Sequence, residues 1–192
     1  MSTPGEAAHP NASTKVVLIS HAPTAATRGT TFPDDESLER PGETLAVQLG
    51  RCTRFGLGPE RRCRQTATAL GWHDAVVEPA LADLDFGRWR GRPLGEITDF
   101  SWLADPSAAP HGGESVQDVL TRVGEWLEGL RGTGERVAAV THPAVARAAV
   151  VHALNAPVQA FWRIDVAPLS VTRLTNSGPN WTLRETGHAV NR

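Results

Sequence analysis

Two stretches of the chain share one pattern. Lys15-Val16-Val17-Leu18-Ile19-Ser20 and Arg136-Val137-Ala138-Ala139-Val140-Thr141 are short apolar runs that end in a hydroxyl residue, then in His21 and His142. Ala22-Pro23 or Pro143 follows at once, so each run reads as a buried strand stopped by a turn. Open α/β sheets place their ligands at such carboxyl ends. Around these runs, the pattern predicts helices over Pro59–Leu70, with Gly71 past the end, and over Ala144–Leu154. Val116, Val119, Leu120, Val123, Trp126, Leu127 and Leu130 recur at offsets of three and four after Gly113-Glu114-Ser115, a single apolar helix stripe. Gly42 to Gly50 reads as a short helix closed by glycine. Further strands are expected at Thr53–Leu57, Ala75–Glu78, Ser170–Leu174 and Trp181–Glu185. Alternating strands and helices imply a three-layer α/β/α sandwich with a mostly parallel central sheet. The loop from Pro23 to Pro41 is long enough to suggest a functional role. Leu81 to His111, broken by Gly and Pro but anchored by Phe86, Trp89, Phe100 and Trp102, suggests a packed excursion with one or two short helices.

Length and composition narrow this picture. The 192 residues suit one domain, residues 15–192, behind a polar tail over 1–14 that has no apolar signal region. A net charge of −2 gives no footprint for nucleic acid or a membrane surface. No apolar run approaches the roughly 18 residues needed to cross a bilayer, so the cytoplasm is the expected compartment. Cys52 and Cys63 are too few for a disulfide framework or a cysteine zinc site, and no metal or other cofactor is expected. The apolar residues serve the core first, which leaves a homodimer open.

Four segments, in order, resemble the histidine phosphatase superfamily, also called the phosphoglycerate mutase-like family, over about residues 15 to 185. Leu18-Ile19-Ser20-His21-Ala22-Pro23-Thr24 is similar to the family's Leu-Val-Arg-His-Gly-Glu-Thr. Gly58-Pro59-Glu60-Arg61-Arg62-Cys63-Arg64-Gln65-Thr66-Ala67 resembles Ser-Pro-Leu-x-Arg-Ala-x-Gln-Thr-Ala. Leu81 to Gly91 resembles Leu-x-Glu-x-x-Phe-Gly-x-Trp-Glu-Gly, and Val140-Thr141-His142 with Arg147 resembles Val-x-His-Gly-Gly-Val-Ile-Arg. Gly113-Glu114-Ser115 and Arg122 add to the likeness. The resemblance implies a small phosphatase whose nucleophile is His21, with Arg62 and His142 in the phosphate pocket and Asp83 as proton donor; Asp85 is the competing acid. Ser20, Thr24, Arg28 and Pro143 are the expected substrate contacts, and the partner is a small phosphorylated molecule. The chemistry suits these residue types. A neutral imidazole can attack phosphorus, an arginine fork matches phosphate oxygens, and a carboxyl can protonate the leaving group. No metal is needed when protein groups supply the charge. The short chain, without the long stretch that follows the second histidine in mutases, favours a phosphatase over a sugar-phosphate mutase. Phosphatases of α-ribazole phosphate are one comparison within that class.

The chain departs from the motif at telling places. The arginine before the nucleophile is Ser20, Ala22 replaces a glycine, Gly58 replaces a serine, and Pro143 follows the second histidine. Removing one positioned donor from such a site typically costs about 2.7–4 kcal/mol of transition-state stabilisation. Either Arg28 or Arg90 fills the gap, or the domain binds a phosphorylated or acidic ligand with little turnover.

Overall fold

A computed structural model describes residues 13–190; of the tail expected over 1–14, residues 1–12 lie outside them. Six strands form one sheet: β1 (Thr14–Ser20), β2 (Arg54–Leu57), β3 (Val76–Val77), β4 (Arg136–Thr141), β5 (Ser170–Asn176) and β6 (Trp181–Ala189). Their order is β3-β2-β4-β1-β5-β6. The first four run parallel; β5 pairs antiparallel with β1, and β6 pairs antiparallel with β5. The sheet is therefore mixed with a parallel centre. Thr14 already belongs to β1, where its hydroxyl donates to Leu130 O.

Alternation along the central strands builds the two faces. Val16, Leu18, Val137 and Ala139 face one layer with α4 (Val116–Leu130) and α5 (Pro143–Ala153). Val17, Ile19 and Ala138 face the other, and Val140 joins the cluster around α2 (Arg61–Ala69). The start of α4 follows from its sequence: Ser115 and Asp118 form a reciprocal capping box, satisfying two terminal amides. Two shorter helices are α1 (Ala25–Gly29) and α3 (Ser101–Ala104).

The helix expected over Gly42–Gly50 does not form. Leu45, Val47 and Leu49 instead pack on the core at every second position, while Ala46 and Gln48 between them are exposed. A period of two belongs to extended chain, and Leu45 N donates to Ala69 O. The excursion after Leu81 is packed around Phe32, Trp89, Ile97 and Trp102, with Phe86 against them, but Phe100, expected as an anchor, is exposed. It carries single 3-10 turns at Gly87–Trp89 and Leu94–Glu96 besides α3. Among the described residues, no helix is long and apolar enough to cross a membrane.

Candidate functional site

Adjacent parallel strands β1 and β4 pair Ser20 with Thr141, so the residues that follow them emerge side by side. His21 N donates to Thr141 O at 2.9 Å, and the two imidazoles lie 5.3 Å apart, edge to face. Both rings are buried. His21 Nδ1 is 2.8 Å from Ala22 O. A carbonyl only accepts, so Nδ1 carries the proton and Nε2 keeps its lone pair. Burial, reinforced by the charges of His142 and Arg62, lowers the His21 pKa to about 4. At neutral pH the ring is neutral, with the lone pair on Nε2.

Helix α2 brings the second set. Arg62 is 2% exposed, and its Nη2 donates to Asp83 Oδ2 at 2.6 Å. Its Nε and Nη1 have no hydrogen-bond partner, although Glu36 Oε2 stands 3.8 Å from Nη1. Two further residues of α2 tie loops to the site. Thr66 Oγ1 accepts from Ala22 N, and Gln65 Oε1 accepts from Leu38 N, which fastens the segment after Pro33.

His142 caps α5. Its Nε2 is 2.6 Å from Glu60 Oε2 and 3.2 Å from Cys63 Sγ. Nδ1 lies 3.4 Å from Asp83 Oδ2, an ionic contact without hydrogen-bond geometry. Burial pulls this ring's pKa down, but the Cys63 sulfur, Asp83 and Glu60 outweigh it and raise the value to about 10. Glu60, Cys63 and His142 are the donor cluster of metal-ligand type among the described residues. The short Nε2–Oε2 contact asks for a proton between its atoms, and we assign no metal to it.

Asp83 sits between the cations. Burial would raise its pKa, but His142, Arg62 and His21 overcome that and hold it below the usual carboxylate range. Its backbone is anchored as well. Asp83 N donates to Glu60 Oε1, while Arg122 donates to Ala80 O and Ala82 O and pairs with Glu114 through two bonds. Asp85, the competing acid, accepts from Gly87 N and Arg90 Nη2, both at 2.7 Å, and is not among the groups touching either histidine.

The expected substrate contacts are divided. Pro143 lines a pocket of about 160 Å³ with His21, Asp83, Phe86, Arg147 and Trp162. Ser20 is buried, and its Oγ has no partner. Thr24 caps α1, its hydroxyl accepting from Thr27 N. Arg28 pairs with Glu39 at 2.9 Å, is largely exposed, and lines a different pocket with Leu45 and Leu169. Arg90 is engaged by Asp85 at the rim of an acid-rich cleft of about 560 Å³. Neither arginine fills the position beside His21, because each is bound to a surface carboxylate.

Sequence reasoning passed over Glu60, Glu36 and Trp162, and read Arg147 only as part of a motif. Glu60 had a visible signal, a carboxylate in place of an apolar motif residue two positions before Arg62. Arg147 had a weaker one, the offset of four from Pro143 that puts both on one face of α5. Its Nε donates to Ile164 O at 2.8 Å and its guanidinium lies 5.7 Å from the Trp162 ring centre. Glu36 and Trp162 come from a loop and a late turn, where no local pattern announces contact.

Residues 16–188 match the family profile described as the histidine phosphatase superfamily (branch 1). Mycobacterial glucosyl-3-phosphoglycerate phosphatase is similar in structure, with a TM-score of 0.73 at 21% identity over 92% of this chain and 99% of that one. Phosphoserine phosphatase from Entamoeba histolytica, solved with 3-phosphoglyceric acid, gives 0.76 at 16% identity over 92% and 98%. Both likenesses establish a common fold. A bifunctional protein of Mycobacterium tuberculosis is 32% identical over 115 residues, 55% of this chain and 32% of that protein. The chain thus spans about a third of the length of that curated relative.

Proposed function

Since the chain belongs to the histidine phosphatase superfamily (branch 1), we propose that it hydrolyses phosphomonoesters through a phosphohistidine at His21. One observation carries this reading: unpartnered donors of Arg62, Nε and Nη1, are buried in a site that also holds a neutral histidine and a cationic one. Unsatisfied buried donors are costly, and a phosphate supplies the acceptor oxygens they lack.

His21 Nε2 attacks phosphorus in line as the ester P–O bond breaks, and Asp83 gives its proton to the departing alkoxide. Water then attacks the phosphohistidine; the Asp83 carboxylate takes the water proton, and the N–P bond breaks to release phosphate. Free Asp83 is a carboxylate held by Arg62 and His142. A bound phosphate dianion competes for those cations, which raises the proton affinity of Asp83 when a proton donor is needed. Arg62 and His142 neutralise the oxygens throughout.

Ser20 favours a second reading, a domain that binds a phosphorylated ligand with little turnover. It stands where the resemblance aligns an arginine, and its hydroxyl brings no charge. The test is phosphate release from a panel of phosphomonoesters without added metal, with His21→Ala as control and acid quench to trap phosphohistidine. Turnover and trapping that vanish together in the variant support the hydrolase. Phosphate binding without either supports the second reading, and activity unchanged by the variant refutes the role of His21.

A further inference from the structure

We propose that Glu60 is a positioning residue that holds His142 as an imidazolium, with its Nδ1–H presented to the phosphate pocket before any ligand arrives. The inference rests on His142 lying in that pocket, and it holds for a hydrolase and for a binding domain alike.

The argument begins with acceptors. Glu60 Oε2 stands 2.6 Å from Nε2, and Asp83 Oδ2 stands 3.4 Å from Nδ1. A neutral imidazole has one N–H and one lone pair, so one ring nitrogen would direct its lone pair at a carboxylate. With a proton on each nitrogen, both contacts are attractive. Glu60 is itself kept ionised: burial would raise its pKa, but the His142 bond and the Asp83 and Glu60 amides hold it low. The shortest contact the ring makes is thus a charge-assisted bond on the side away from Asp83.

The surrounding chain is shaped to allow this bond. Gly58 closes β2, its N donating to Val140 O. A Cβ at that position would stand 3.0 Å from both Glu60 Oε2 and His142 Nε2, and 2.7 Å from Leu81 O. The glycine leaves the space in which carboxylate and ring meet. Gly58 and Glu60 occupy positions where the resembled motif has Ser and Leu, so the two changes make one device. Other charged or titratable groups face the ring from every side. Arg62 and Cys63 come from α2, Asp83 from the following loop and His21 from the end of β1. Arg62 and the neutral His21 do not favour a second cation here, which leaves Glu60 and Asp83 to secure it, beside the Cys63 sulfur. Asp83 is the group that a phosphate would rival. Glu60 is the one that stays.

The device has a function that a packing role would lack. With Ser20 contributing no charge, Arg62 and His142 are the cations that pair with Asp83, and Arg147 lines the same pocket. An ordinary histidine would lose most of its charge above its usual value of about 6.5, just as phosphate becomes a dianion. Glu60 and Asp83 together keep the cation in place over that range, and the Glu60 bond extends it to higher pH.

The test uses the full chain, NMR titration of the His142 ring, and calorimetric binding of inorganic phosphate between pH 6 and pH 9. In the wild type the ring should stay protonated through neutral pH. Glu60→Gln keeps the size but removes the charge, and should lower the proton affinity of His142 about tenfold; Glu60→Leu should lower it about a hundredfold. Phosphate affinity of Glu60→Gln should fall below wild type at pH 9 and recover toward it at pH 6, where protons replace the carboxylate's effect. A structural lesion would weaken binding equally at both pH values, and that result would overturn the proposal. A wild-type ring that titrates near 6.5, or an unchanged midpoint in Glu60→Gln, would overturn it too. Lack of turnover by every phosphomonoester would count against the hydrolase reading and leave this one standing.

Discussion

Lowering the pH is a direct probe of the other histidine. His21 is 3% exposed, and its pKa falls from the ordinary 6.5 to about 4, first because burial disfavours the charged ring. The unfolded chain takes a proton near 6.5, whereas the folded protein refuses it until about 4. Unfolded molecules therefore bind more protons in this window, and stability is lost as pH falls through it. At 1.36 kcal/mol for each pH unit, the gap corresponds to about 3 kcal/mol, most of it spent by pH 4.5. That is a large part of the 5–15 kcal/mol typical of a folded domain. His21→Gln removes the titration and retains an amide donor for Ala22 O. Urea unfolding at pH 7 and pH 4.5 measures the difference. The wild type should lose about 2–3 kcal/mol more than His21→Gln over this interval. Equal losses would show that His21 protonates in the folded state near its ordinary value, and the neutral-nucleophile argument would fail with it.

Three substitutions test the scaffold. At Gly113 a Cβ would stand 2.0 Å from Asp85 O, so Gly113→Ala should destabilise the domain by about 1–3 kcal/mol, read as a lower urea midpoint. Ser115→Ala removes the α4 cap and should cost about 1 kcal/mol in the same assay. Arg122→Met deletes the bonds to Ala80 O, Ala82 O and Glu114. Its half-exposed setting limits the cost to about 1–2 kcal/mol, but phosphate binding should weaken too, because the Asp83 segment loses its anchor.

Strand-to-histidine runs made the centre of this fold readable, because buried parallel strands are apolar along their whole length and His21 and His142 interrupt that pattern at its end. The stripe from Val116 to Leu130 was equally plain. Gly42–Gly50 misled because its residues have adequate helix propensity, whereas Leu45, Val47 and Leu49 obey the period-two demand of a core beneath them. Arg28 and Arg90 show a different limit. Composition supplies cations, but Glu39 and Asp85 claim them, and such pairings depend on loop paths with no local signal. Glu60 lies inside a motif whose recognisable feature is its arginine, and its contact with His142 depends on the space at Gly58, three-dimensional information that spacing does not carry.

The pairing of β1 with β4 sets how the site can be lost. Both histidines leave neighbouring strands at the middle of the sheet, and the His21 amide is itself bonded to Thr141 O. Backbone hydrogen bonds of this kind open only with the whole domain, so their amides belong to the slowest class in hydrogen exchange. The two histidines should therefore have no partly open, misaligned state of their own during mild heating. Loss of ligand binding and loss of the fold become one event.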